Sequence, residues 1–180
     1  MLEFSSVFSG EQQYSDLMKG ITTADLPRLS NEILDAVDDR LDGLTDADVT
    51  FVSRDPNPDD LEAEGWTIGH VIVHLTAGLE ESAALGATLA RGVEITGRSR
   101  YESPWETVTT ERQVRERLAE CRRMVLGYLG VWPDLPHLDM SHTQVEFFGP
   151  MDAIGVHLMG YMHATMHLNH LAEIRRQAGG

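Results

Sequence analysis

The chain has 180 residues, a length that fits one domain with its own hydrophobic core, and we expect a single domain over residues 1–180. Hydrophobic residues make up 42% of the chain and charged residues 24%, which is typical of a globular protein and excludes a disordered one. The net charge of −15 opposes the neutralisation of phosphates. We therefore expect neither nucleic acid nor an anionic membrane surface as a partner.

Three absences in the sequence predict the compartment. No apolar stretch reaches the roughly 20 residues that cross a bilayer. The first residues lack the basic start and the apolar core of a secretory signal. The single cysteine, Cys121, cannot form an internal disulfide, which agrees with a reducing compartment. We expect a soluble cytoplasmic protein in which Cys121 is a small core residue.

The first third of the chain predicts one long helix and one long loop. Apolar residues recur at three- and four-residue intervals over residues 26–44, which indicates an amphipathic helix with Pro27 in its first turn. A short extra helix is expected before it, around residues 12–19. Residues 45–65 are rich in proline and aspartate and predict a loop.

Two further helices follow in the middle of the chain. The second main helix is expected over residues 67–91, where apolar and alanine residues dominate. Thr110 and Gln113 have the spacing of a capping box, which predicts the start of the third helix. That helix should end before Pro133, since proline cannot continue a helix.

The last predicted helix begins at Pro150, which suits the first helical position, and ends before Gly179. Two opposite faces of this helix are apolar or carry histidine. One face has Ile154, Leu158, Tyr161, Thr165 and Leu168, and the other has Val156, Met159, His163, His167, His170 and Ile174. Such a helix must be covered on both sides. We expect it to be central in the bundle or shared with a second subunit, and we predict a homodimer.

Four main helices joined by loops, with no strand-like alternation, predict an all-α four-helix bundle with a possible short extra N-terminal helix. Histidines on two of these helices suggest a metal site. His163 and His167 are four residues apart and lie on one helical face, so their imidazoles can converge. His74 on the second helix would face inward and supply a third ligand. Imidazole suits zinc, nickel, copper or iron.

Two other histidines lie one turn from these candidates. His70 precedes His74 and could replace it as a ligand, and His170 follows His167. For both we favour a role in the pocket, or in orienting the ligands, over direct ligation. Neither histidine pair carries the adjacent glutamate of a zincin-type peptidase, and no Glu-x-x-His occurs for a di-iron carboxylate centre. A mononuclear three-histidine site with an open position remains.

The segments WTIGHVIVHL in the second helix and HATMHLNHLAEIRR in the last helix resemble the DinB-like superfamily. That group includes the DNA-damage-inducible DinB proteins and related thiol-dependent S-transferases and isomerases. The resemblance implies a DinB-like four-helix bundle with His74, His163 and His167 as ligands of one divalent metal, for which we expect zinc or nickel. The family often has glutamine three positions after the last ligand, where this chain has His170, so a fourth ligand stays open.

The resemblance also implies a reaction, in which a low-molecular-weight thiol of the bacillithiol or mycothiol type attacks a small electrophile. A metal stabilises the thiolate and so makes the thiol nucleophilic at neutral pH. We assign no catalytic side chain and no residue that binds the thiol. Glu81 lies two turns after His74 and could serve as an acceptor or base, which would suit a hydrolase that uses metal-bound water. The same sequence also fits a non-catalytic, metal-stabilised dimeric bundle, or a protein that binds no metal.

Overall fold

A computed structural model of the chain describes residues 1–54 and 65–179. Within these residues the predicted all-α class is confirmed, and β-structure is limited to one bridge between His142 and Met151. The α-helices are α1 (Ser5–Phe8), α2 (Tyr14–Leu17), α3 (Leu26–Asp39), α4 (Asp46–Thr50), α5 (Ile68–Ala90), α6 (Glu111–Leu129) and α7 (Ala153–Ala178). Short 3₁₀ helices cover Thr23–Asp25, Trp105–Thr107 and Glu146–Phe148.

Four long helices, α3, α5, α6 and α7, form the bundle, and the pair α5–α7 has the most extensive contact. These two helices run antiparallel, since His74 in the first third of α5 meets His163 near the middle of α7, and Gly86 near the end of α5 meets the first turns of α7. They approach closely because Gly160 has no side chain. A Cβ at Gly160 would lie 2.9 Å from the Leu79 Cα and 3.0 Å from the Ser82 Cβ.

Most of the predicted helix ends are confirmed, because local hydrogen bonds define them. Thr67 caps α5 by accepting a hydrogen bond from the His70 amide, and Thr110 forms the predicted capping box with Gln113. Two predicted ends were wrong, since α3 ends at Asp39 and not at residue 44, and Pro150 does not begin α7. The side chain of Asp152 accepts from the Gly155 amide and caps α7 instead, and it leaves Pro150 outside the helix.

The loop predicted over residues 45–65 was partly wrong, because it contains α4. Thr45 and Asp48 form a capping box there, and the aspartates that suggested a loop are favourable in the first turn of a helix. The other part of that prediction, residues 55–64, lies outside the described residues. Near the N-terminus, the short helix predicted around residues 12–19 is α2, and the one-turn helix α1 precedes it.

The last helix is central, as its two apolar faces predicted. Leu158 and Leu168 on one face are buried, and so are Val156 and Ile174 on the other. The chain itself therefore covers both faces of α7. The homodimer stays a prediction. An exposed apolar face of α7 no longer supports it.

The connection between α5 and α6 brings polar side chains to one flank of α5. Gly69 near the start of α5 lies against Val108, just before α6, since a Cβ there would be 2.4 Å from the Val108 carbonyl oxygen. The connection therefore returns along α5. On the way it passes Glu81, which Arg98 contacts, and then His74, which Arg100 contacts.

In the described ranges 1–54 and 65–179, no helix has both the length and the apolar composition that crossing a membrane requires.

Candidate metal centre

Three imidazoles from α5 and α7 meet at one point between the helices. The Nε2 atom of His163 lies 3.0 Å from Nε2 of His74 and 3.3 Å from Nε2 of His167. One ligand atom from each of the three histidines can be chosen so that all lie within 4.8 Å of one another. The structure thus brings together the three residues that the sequence predicted as ligands.

Burial keeps two of these imidazoles uncharged. Loss of hydration lowers the pKa of His163 to about 3 and the pKa of His167 to about 2, and the neighbouring imidazoles and arginines add to the effect. Near neutral pH both rings therefore have a free lone pair on one nitrogen. Neutral imidazole is the form that binds a transition metal.

The third ring, His74, is oriented through its other nitrogen. Its Nδ1 lies 3.2 Å from a carboxylate oxygen of Glu102 and 3.0 Å from Nη2 of Arg100. Arginine is only a donor, so when Nδ1 carries the proton its acceptor is Glu102. That arrangement leaves Nε2 as the lone-pair nitrogen and directs it at the other two histidines. Arg100 in turn donates to Glu102 and to the His74 carbonyl oxygen.

Packing orients the remaining two rings. A Cβ at Gly78 would lie 2.5 Å from Nδ1 of His163, so α5 has room for this ring only because residue 78 is glycine. The His167 ring is nearly parallel to the Trp66 indole, at a centroid separation of 6.0 Å and an angle of 11°. The Nδ1 atoms of His163 and His167 are buried and make no hydrogen bond within the part of the chain that the structure describes.

The two flanking histidines do not join this group of ligand atoms among the described residues. His70 stacks between two indoles, with ring centroids 4.0 Å from Trp66 and 4.5 Å from Trp105. Burial lowers its pKa, which favours the neutral ring. His170 is buried, and its ring lies 5.9 Å from that of His167. Both histidines therefore line the cluster without entering it.

A cavity of about 400 Å³ opens beside the cluster, and both His74 and His163 line it. Its walls are largely apolar and include three methionines of α7 and two phenylalanines. The polar residues that line it include Glu81, Arg98, Arg100 and Gln144. A small molecule in this cavity can therefore reach the histidine cluster from the side of His74 and His163.

Glu81, which the sequence suggested as an acceptor or base, lines this cavity but is bound by other groups. Its carboxylate is 2% exposed and accepts two hydrogen bonds from Arg98, at 3.1 and 2.8 Å, and one from the Ser99 amide at 3.1 Å. The carboxylate next to a cluster histidine is that of Glu102. Glu102 lies in the irregular connection between α5 and α6, where no helical periodicity in the sequence could predict that it reaches His74.

The chemistry of the donor set fits one metal ion. For tetrahedral coordination at about 2.0–2.1 Å, two nitrogen ligands lie about 3.3 Å apart, and the two shortest Nε2 separations are 3.0 and 3.3 Å. Three neutral nitrogen donors leave a fourth position for water or a substrate. The acceptor on the Nδ1 side of His74 is the usual support of a metal-bound histidine.

A family model described as the DinB superfamily matches residues 31–171, which is well over half of the 180 residues. The chain belongs to the DinB superfamily. All three cluster histidines lie inside the matched range, as do the DinB-like bundle helices α5 and α6. No curated protein and no solved structure is significantly similar to the chain. The resemblance predicted from the two histidine segments is therefore confirmed at the level of the superfamily.

Proposed function

We propose that this DinB superfamily protein binds one divalent transition metal ion, zinc or nickel, through His74, His163 and His167. The observation that carries the proposal is the convergence of three Nε2 atoms at the edge of a cavity. Neutral rings and a carboxylate behind His74 support it. A structural metal site is usually closed by four protein ligands, so three ligands beside a cavity favour a reactive site.

We further propose that the protein is a transferase that joins a low-molecular-weight thiol, of the bacillithiol or mycothiol type, to a small electrophile. The bound ion would supply stabilisation of the thiolate over the thiol. The side chains of the protein position the reactants and exclude water. The three imidazoles fix the position of the nucleophile, and the methionine and phenylalanine walls exclude water and hold the electrophile next to it.

A hydrolase is the second candidate, because a buried carboxylate, Glu81, lines the same cavity. As a base it would have to leave Arg98, which holds it by two hydrogen bonds. That requirement makes hydrolysis the weaker proposal. Metal-bound water is nevertheless a common nucleophile in three-ligand sites.

Turnover measurements separate the candidates. The protein, purified without a histidine tag and reconstituted with zinc or nickel, should conjugate alkyl-halide or epoxide electrophiles with bacillithiol or mycothiol, and His163→Ala should abolish this activity. Glu81→Gln should retain the thiol transfer. Ester or amide hydrolysis without any thiol, abolished by both variants, would support the hydrolase. Inactivity with every thiol tested in fully metal-loaded protein would overturn the transferase.

A further inference from the structure

The cavity beside the histidine cluster has an apolar wall made of methionine and phenylalanine side chains. Met159, Met162 and Met166 follow each other at spacings of three and four residues on α7 and all line the cavity. Phe8 and Phe148 also line it, with ring centroids 6.2 Å apart and nearly perpendicular. Thioethers adapt to the shape of a ligand and make favourable contacts with aromatic rings. This wall is suited to a flat, apolar group.

The polar groups of the cavity include two arginines and one glutamine. Arg98 and Arg100 both line the cavity, and each is paired with one carboxylate, Arg98 with Glu81 and Arg100 with Glu102. Arg98 donates to Glu81 through its Nε and Nη2 atoms. Arg100 also donates its hydrogen bonds through Nε and Nη2. Within the described residues, Nη1 of each arginine makes no hydrogen bond, so each keeps donors for a ligand.

Gln144 adds a hydrogen-bond acceptor, its amide oxygen. Its Oε1 is buried, and it accepts no hydrogen bond from any residue that the structure describes. A buried acceptor without a donor costs free energy, and this cost is removed when a ligand supplies an N–H or O–H group. Because Gln144 lines the cavity together with Arg98 and Arg100, a rotation of its amide would bring this acceptor to a donor of the bound ligand.

We propose that this cavity binds a substrate with a flat apolar body, one anionic group and one hydrogen-bond donor. The body packs on Met159, Met162 and Met166, the anionic group binds Arg98 and Arg100, and the donor binds Gln144. The proposal rests on the proposed function, since it takes this cavity to be the substrate site of the metal centre. It adds the chemical class of the substrate, an aromatic or similarly flat organic anion.

The volume of the cavity agrees with this class. About 400 Å³ is at the small end of the range for small-molecule sites, which suits a compound of two or three fused or linked rings. A second cavity of about 400 Å³ shares Arg98, Gln144 and Val145 with the first one. Binding must therefore be assigned to the methionine wall by a variant that changes only the first cavity.

Two fluorescent probes test the proposal on the full, metal-reconstituted chain. Anilinonaphthalene sulfonate has an apolar ring system, one anionic group and one N–H donor, and phenylnaphthylamine is the same molecule without the sulfonate. We expect about one sulfonate probe per chain, bound at least about tenfold more tightly than the neutral probe, since a hydrogen bond to a charged group is worth that factor.

Three variants locate the site. Met166→Trp fills the cavity and should weaken both probes by at least about tenfold. Arg98→Gln combined with Glu81→Gln removes a cation without leaving a buried carboxylate unpaired, and should reduce the preference for the sulfonate probe. Arg122→Gln is the matched control, because Arg122 lines a separate cavity between α3 and α6. It should leave the affinity of both probes unchanged.

Equal affinity for the two probes, or affinity unchanged by Met166→Trp in a variant with wild-type circular dichroism, would overturn the proposal. Probe binding requires no turnover, so a protein inactive with every thiol can still pass this test. A protein that loads metal and transfers thiols but does not discriminate between the probes would fail the present proposal alone.

Discussion

Helix α7 carries two buried histidine environments that differ in what their nitrogens face. His157 is 4% exposed, and its Nε2 pairs with the Ser30 hydroxyl at 3.0 Å, with the Trp132 ring edge-on at 6.2 Å. His163 and His167 instead face each other and His74 beside a cavity. Burial lowers the pKa in both environments. Burial alone therefore does not mark a binding site, whereas convergence of lone pairs on an accessible point does.

The sharpest way to break this comparison is to truncate one histidine from each environment. In metal-free protein, His157→Ala should lower the free energy of unfolding by about 3 kcal/mol, because it leaves a cavity in the core and a Ser30 hydroxyl without its partner. His163→Ala should lower it by about 1 kcal/mol or less, since it widens an existing cavity. Urea unfolding followed by circular dichroism measures both values.

The reverse ranking would contradict the assignment of His157 to the core. Metal content gives the matching control, because folded His157→Ala should still load metal.

Acid should reveal the cost of burying His157. Its pKa is about 4 in the folded protein, against an ordinary value of 6.5. The unfolded chain takes up a proton as the pH falls through 6.5, while the folded chain stays neutral at this site until about pH 4. Stability therefore falls across this window, by about 3 kcal/mol for this group.

The variant His157→Gln isolates this effect, since it keeps the histidine cluster and removes one titrating group. Between about pH 7 and pH 4, metal-free wild type should lose about 3 kcal/mol more than the variant in urea unfolding. Identical pH profiles for the two proteins would show that His157 is not held neutral.

Two glycines of α5 face the two environments and offer a matched pair of substitutions. A Cβ at Gly78 would lie 2.5 Å from Nδ1 of His163, and a Cβ at Gly86 would lie 3.0 Å from the Cβ of His157. Gly78→Ala should displace the His163 ring and weaken metal binding by about a hundredfold, as small misplacements of site groups do. Gly86→Ala should lower stability instead and leave the metal affinity of the folded protein unchanged.

Chelator competition and urea unfolding measure the two effects. If Gly78→Ala binds metal like the wild type, the position of the His163 ring is not the one described.

The smallest expected effect concerns the support of His74. Glu102→Gln keeps the size of the side chain but removes the negative charge 3.2 Å from Nδ1, and it should weaken metal binding by about tenfold. Glu106→Gln is the control, because Glu106 is exposed in the same connection and does not touch a cluster histidine. Equal affinities in the two variants, measured by chelator competition, would remove Glu102 from the site.

The sequence predicted the parts of this molecule that follow from periodicity. The four long helices and the capping box at Thr110 are local features, so spacing and residue type were sufficient. The HxxxH spacing put His163 and His167 on one face of α7. His74 was preferred over His70 because it was expected to face inward, and the structure brings His74 to the other two.

The rest depends on where irregular segments run. Glu102 and Arg100 reach His74 because the α5–α6 connection returns along α5, a path that no periodic pattern encodes. The two roles of buried histidine on α7 were also hidden, since His157 and His163 differ only in which side chains of other helices they meet. Helix α4 was missed for a different reason, because its aspartates suit a helix start and a loop equally well.

The metal content of untagged protein after reconstitution tests the central claim most directly. Wild type, dialysed against excess zinc or nickel and then freed of loose ion, should hold about one ion per chain by mass spectrometry of the metal. His163→Ala should hold less than about a tenth of an equivalent. Wild type with less than about a tenth of an equivalent, or His163→Ala with the same loading as wild type, would contradict the three-histidine site.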